Sequence, residues 1–166
     1  MGKVNFINTI EIIDSAERIY AKHKKMIRKG LPDADIQHVG STAIPNSLTK
    51  GDVDIQVRVK SDHFFTAVEK LSNLYDINDG SVKTEQFRAF EDETENPSLG
   101  VQLTVKGSEY DFFWKFRDVL IMNDTYREKY DNLKIKYEGM DMERYRDAKG
   151  EFFDKIMTTP EYMELQ

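Results

Sequence analysis

Cysteine is absent from the chain, and that absence excludes disulfide scaffolds, thiolate nucleophiles and cysteine-built zinc sites together. Any chemistry falls to carboxylates, His, Ser and Lys. The three histidines stand singly at positions 23, 38 and 63, which is not the spacing of a histidine-built metal centre. No run approaches the roughly 20 apolar residues that span a bilayer. The start, MGKVNFINTI, lacks the apolar core of a secretion signal. The expectation is a cytoplasmic protein with no membrane partner. Internal repeats, low-complexity segments and linkers are also missing.

What is present is enough to fold without metal or disulfide. The 166 residues carry 39% hydrophobic and 33% charged positions, with 10 Phe, 8 Tyr and 1 Trp, the make-up of one domain with one core, residues 1–166. The net charge of −6 argues against a protein whose task is gripping a nucleic-acid backbone. Its distribution is uneven: residues 1–60 sum to +3, 61–110 to −6 and 111–166 to −3. A small anionic ligand such as a nucleotide suits a locally basic N-terminal third, whereas a long polyanion would be repelled elsewhere.

From Asn8 to Gly30, apolar residues at steps of three and four predict an amphipathic helix, with Asn8 and Glu11 as a capping pair. Ala34 to Val39 reads as a strand leading into the tight segment Gly40-Ser41-Thr42-Ala43-Ile44-Pro45. Asp52 to Lys60 then alternates: Val53, Ile55, Val57 and Val59 on one side, Asp52, Asp54, Gln56 and Arg58 on the other. That is the pattern of a strand buried on one face. A helix from Ser61 or Asp62 to about Asn73 follows, then two strands, Gln86–Glu91 and Leu99–Val105, joined by an acidic stretch that reads as an exposed hairpin connection. Three helices close the chain, over Glu109–Met122, Asp124–Tyr137 and Asp141–Met157, the first with Phe112, Phe113, Phe116, Val119 and Leu120 as its expected core face. The order predicts an α+β domain: a small mixed sheet flanked by helices, with a helical C-terminal half.

Two features carry chemistry. Aspartate disfavours strands, and two carboxylates at i and i+2 on one strand repel unless a cation lies between them. Asp52 and Asp54 are so placed, close enough for one or two hard cations such as magnesium, whose coordination phosphate oxygens would complete. Gly40 lets the backbone approach a phosphate, and Ser41 and Thr42 bring hydroxyl and N–H donors.

At these residues the chain resembles a known family. His38-Val39-Gly40-Ser41-Thr42-Ala43-Ile44-Pro45 followed by Lys50-Gly51-Asp52-Val53-Asp54-Ile55-Gln56-Val57 is similar to the signature of the GrpB family of nucleotidyltransferase-like proteins. Phe116-Arg117-Asp118-Val119-Leu120 and the Tyr145/Lys149 pair resemble its later motifs. The resemblance, from about residue 10 to 157, implies the nucleotidyltransferase fold of the DNA polymerase beta superfamily. Gly40, Ser41 and Thr42 would then touch phosphates, and Asp52 and Asp54 would hold metal. Many members of the family have an apolar residue where this chain has Asp52. In active members of the superfamily a third carboxylate comes from a later strand. Its counterparts by spacing here are Gln102 and Thr104, neither acidic, and the family's His-x-His pair on that strand is replaced too. Glu85, Glu91 and Glu109 are the acids left to stand in.

Further residues admit two readings each. Lys50 can meet phosphate as a point charge or stand as a solvated loop lysine. His38 can transfer protons or bond the backbone. Arg117 can bind triphosphate or pair with a carboxylate. Tyr145 and Lys149, at i and i+4, can line a cleft or pack the last helix. The expected function is magnesium-dependent transfer of a nucleotidyl group from a nucleoside triphosphate to a hydroxyl of a small molecule or protein. The alternative is a nucleotide- or metabolite-binding module that has lost the chemistry.

Overall fold

The computed structural model describes residues 2–165. Its elements in chain order are β1 (Ile7–Asn8), α1 (Ile13–Gly30), β2 (Asp35–Val39), β3 (Leu48–Thr49), β4 (Val53–Val59), α2 (Phe64–Ser72), β5 (Asp76–Ile77), β6 (Phe87–Asp92), β7 (Leu99–Val105), α3 (Phe113–Met122), α4 (Asp124–Tyr137), α5 (Met142–Ile156) and α6 (Pro160–Met163). Five strands form a mixed sheet in the order β2-β4-β7-β6-β5, parallel only between β4 and β7. β1 and β3 make a separate antiparallel ribbon.

One sheet face is apolar, as the alternation requires. Val53, Ile55, Val57 and Val59 of β4 join Leu99, Val101, Leu103 and Val105 of β7 beneath Ala16 and Ile27 of α1 and Phe64, Ala67 and Leu71 of α2. Each large side chain in this layer contributes roughly 1.5–3 kcal/mol on full burial. The opposite face is polar but not solvated. Gln56 and Thr104 are both 0% exposed, with Gln56 Nε2 donating to Thr104 Oγ1 at 2.9 Å and Gln56 Oε1 accepting from the Trp114 N–H of α3 at 3.0 Å. The strand expected to be buried on one face is therefore buried on both, because the C-terminal half folds back over the sheet.

Local boundaries shift for similar reasons. Asn8 and Glu11 do form the capping box, but it closes a 3-10 turn over Thr9–Glu11. Asn8 is paired with Leu48 in the ribbon, so the chain must turn before α1 begins. Another 3-10 turn, Ser61–His63, precedes α2, which has no side-chain cap. The predicted start at Glu109 moves to Phe113 because the Asp111 carboxylate turns back to the Gly107 N–H and to Arg58. The acidic connection is exposed at Glu93, Thr94, Asn96 and Ser98 as expected, but Glu95 turns in to bond Lys22 and His23 of α1, and His23 is buried against Tyr75.

Candidate functional site

The site forms where β2 ends beside β4. Gly40 adopts φ 76° and ψ −174°, a conformation open in practice to glycine alone. A Cβ there would lie 2.5 Å from Asp54 Oδ2. Register places Asp54 between Val39 of β2 and Gly100 of β7, and a Cβ on Gly100 would lie 2.9 Å from Asp54 Oδ1. The carboxylate thus sits in a slot made by two glycines. Gly100 was not singled out by sequence reasoning; its one legible signal is a glycine inside a strand, which marks close approach of another group. Gly100→Ala is expected to turn the Asp54 carboxylate aside, lowering affinity for a divalent cation about tenfold with little loss of stability. Titration with manganese monitored by paramagnetic relaxation checks this, and unchanged affinity would contradict it.

Ser41 to Ala43 form a single 3-10 turn. Ser41 Oγ is 2.7 Å from Thr49 Oγ1, and Thr49 Oγ1 also accepts from the Gly51 N–H at 3.0 Å. One buried threonine thereby joins the Gly-Ser turn to the approach of the carboxylate strand. Ile44, four residues beyond Gly40, anchors the turn in a second core with Leu120 and Tyr130.

Above this floor the C-terminal helices enclose a cavity of about 320 Å³. Gly40, Ser41, Lys50, Asp52, Asp54 and Gln102 supply its polar side, Phe112, Phe113 and Phe116 an aromatic wall, and Arg117, Tyr130 and Lys149 also reach it. The three phenylalanines, expected in the core, are half-buried wall residues; Val119 and Leu120 are the core face of α3. Asp52 lies just before β4 with its side chain 51% exposed and 3.8 Å from Lys50 Nζ. Asp54 lies deeper. Burial pushes its carboxyl up to about 6; Lys149 and Lys50 oppose this, Asp52 reinforces it, and the Gln102 amide helps hold the charge. Lys50 is shifted downward by burial and by Lys149, against the pull of Asp52. The cations at the cavity come from Lys50 and, in the net-negative C-terminal half, from Arg117 and Lys149, the two residues there whose functional reading put them at a ligand.

Thr42, His38 and Tyr145 lie behind the cavity. Thr42 is buried with its hydroxyl on His38 Nε2 at 2.9 Å, turned away from any phosphate at Ser41. His38 stacks on Tyr20 with centroids 5.1 Å apart, and burial together with Arg117 depresses it to about 4, leaving a neutral ring. It braces the turn and does not line the cavity. Arg117 donates to the His38 carbonyl at 2.9 Å and pairs with Asp118 on its own helix at 2.8 Å. Tyr145 is buried behind Tyr130, the two hydroxyls 3.5 Å apart, while Lys149, one turn on, does reach the cavity.

The strand position expected for a third carboxylate is held by Gln102, which lines the cavity, and by Thr104, which is buried against Gln56. Glu91 pairs with Gly100 from β6, two strands from Asp54, and Glu109 lines an adjoining groove; neither these nor Glu85 is on the cavity lining. Among the described residues no three His, Asp or Glu gather as a metal-binding group. The donors that do converge, two carboxylates of which the deeper is undercompensated by cations, suit one hard divalent ion. Magnesium is commonly bound through one or two carboxylates with substrate phosphates completing its shell.

A mixed sheet with a Gly-Ser turn at one strand end and carboxylates on the next, roofed by helices, defines a nucleotidyltransferase-like fold. A solved cytoplasmic RNA terminal U-transferase superposes with a TM-score of 0.52 at 10% identity, over 74% of this chain and 38% of that one. The GrpB protein of Enterococcus faecalis superposes with a TM-score of 0.62 at 14% identity, over 90% of this chain and 92% of that one. The family model described as GrpB protein matches residues 10–159. The UPF0157 protein VC_A0354 of Vibrio cholerae is 34% identical over 155 residues, 93% of this chain and 82% of its own. The chain belongs to the GrpB family. No helix among the described residues is long and apolar enough to cross a membrane.

Proposed function

We propose that the protein binds a nucleoside triphosphate with magnesium in this cavity and transfers its nucleotidyl group to an acceptor oxygen. The observation that carries the reading is that Gly40-Ser41, Asp52, Asp54, Lys50 and Lys149 line one cavity. Asp52 and Asp54 would hold the cation, which when bound supplies charge neutralisation at the phosphates. Ser41 and the Gly40 backbone would fix the triphosphate, Lys50 and Lys149 would offset its charge, and the Phe112–Phe116 wall offers a face on which a base can stack. Tyr130, its hydroxyl 3.5 Å from that of Tyr145, completes the lining.

Ser41→Ala and Lys149→Ala are each expected to weaken triphosphate binding about tenfold, near 1.4 kcal/mol, in equilibrium dialysis with labelled nucleotides. Full-strength binding by both variants would contradict the assignment. A second reading, a binding module without turnover, is favoured by one feature: Gln102 where active superfamily members carry a carboxylate. Pyrophosphate release distinguishes the two.

A further inference from the structure

Resting on the nucleotide site just described, we propose that the acceptor is a phosphate monoester, an oxygen nucleophile already ionised at neutral pH, and not an alcohol. An alcohol keeps its proton at neutral pH and must surrender it to a base as it attacks. No carboxylate or histidine on the cavity lining is free to accept it, and Lys50 and Lys149 are taken up by the charge of the triphosphate. Its two carboxylates, Asp52 and Asp54, are the cation ligands, His38 is behind the floor on Thr42, and β7 presents the amide of Gln102. An amide cannot take a proton, but unlike a carboxylate it does not repel an anion. Its nitrogen lies 3.3 Å and Asp54 Oδ1 2.9 Å from where a Gly100 Cβ would stand, so Gln102 occupies the place beside Asp54 directly.

The surroundings match an anion. Lys50, Arg117 and Lys149 line the cavity, and Lys149 is shared with a groove between α3 and α5 that adds Arg146. Phe112, Phe116 and Phe153 border both spaces, making the groove a route by which an acceptor with an apolar body reaches the nucleotide. Glu109 and Asp154 also border the groove, both exposed. In the step itself an acceptor phosphate oxygen bonds to the α-phosphorus, the bridge between the α- and β-phosphates breaks, and its electron pair leaves on pyrophosphate. A phosphoanhydride forms and no proton is withdrawn from the acceptor, whose second ionisation falls near pH ~6.

The test offers phenyl phosphate, phenol and glycerol to the protein with magnesium and each nucleoside triphosphate, reading products by mass and phosphorus NMR. Binding of phenyl phosphate is measured separately beside a non-hydrolysable triphosphate. Expected are a nucleotidyl phenyl phosphate with a P–O–P bridge, transfer to phenol and glycerol at least 100-fold slower, and phenyl phosphate binding weakened at least tenfold in Gln102→Glu. Transfer to phenol or glycerol as fast as to phenyl phosphate overturns the inference. Metal-dependent nucleotide binding with no phenyl phosphate binding or transfer overturns the acceptor class and spares the nucleotide site. Absence of nucleotide binding removes both.

Discussion

Replacing Asp111 by Ala is expected to cost about 3–5 kcal/mol, the usual penalty for stripping one partner from a buried ion pair. Asp111 is 4% exposed and accepts from Arg58 Nε and Nη2, each at 2.7 Å, from Gln56 Nε2 at 2.9 Å and from the Gly107 N–H at 2.8 Å. Without it Arg58 keeps only Asp35, at 2.6 Å, and Gln56 loses a partner in the middle of the sheet's polar face. Against a total stability of about 5–15 kcal/mol this is a large fraction. Urea unfolding measures it, and a loss below about 1 kcal/mol would mean that the network is not what holds α3 to the sheet. The same group sets an acid limit. Burial alone would raise Asp111, but the Arg58 and Gly107 hydrogen bonds and the Arg58 charge outweigh it, so its carboxyl titrates below the ordinary carboxylate range. A depressed folded value means a contribution fully present above the unfolded value and lost as pH falls through the folded one. Stability should therefore be flat with respect to this group at neutral pH and decline below the ordinary carboxylate range. In Asp111→Ala that part of the decline should be missing.

Asp54→Asn separates function from fold in the opposite sense. The amide keeps the shape that fits between Gly40 and Gly100 but removes the deeper of the two charges that face the cavity. Magnesium-dependent binding of triphosphate is expected to fall at least 100-fold, near 2.7 kcal/mol. Stability at neutral pH should hold or rise: a carboxyl pushed up to about 6 by burial is one whose ionised form strains the folded state. A chemical melt alongside the binding assay checks both halves. Lower stability together with lost binding would show Asp54 to be a structural residue. Asp52→Asn should have the smaller effect on binding, its side chain being half in solvent and already beside Lys50.

The parts of the site that were legible in the sequence are those written in local patterns. Gly40-Ser41 and Asp52-Val53-Asp54 can be read because glycine at a strand exit and paired aspartates at a strand start are costly without a ligand or special backbone. The alternation of Val53 to Val59 likewise fixed the apolar face. What was not legible depends on residues far apart in the chain. Arg58 and Asp111 are 53 positions apart, and no periodicity announces that the C-terminal half buries the polar face. The same return of the chain turned Phe112, Phe113 and Phe116 from expected core into cavity wall. His23 falls on the apolar face of α1 by its spacing, but its partners Glu95 and Tyr75 are brought to it only by the hairpin and by the chain after α2. Gly100 carries its meaning only once register sets it beside Asp54.

The most direct test of the central claim is calorimetric titration of the wild-type protein with the four nucleoside triphosphates, each with and without magnesium. The account predicts saturable binding of at least one triphosphate at one site per chain, weakened at least tenfold when magnesium is withdrawn. No binding of any triphosphate with magnesium present, or binding indifferent to the metal, would contradict it and leave the Gly-Ser turn and the paired aspartates as structural remnants of the fold.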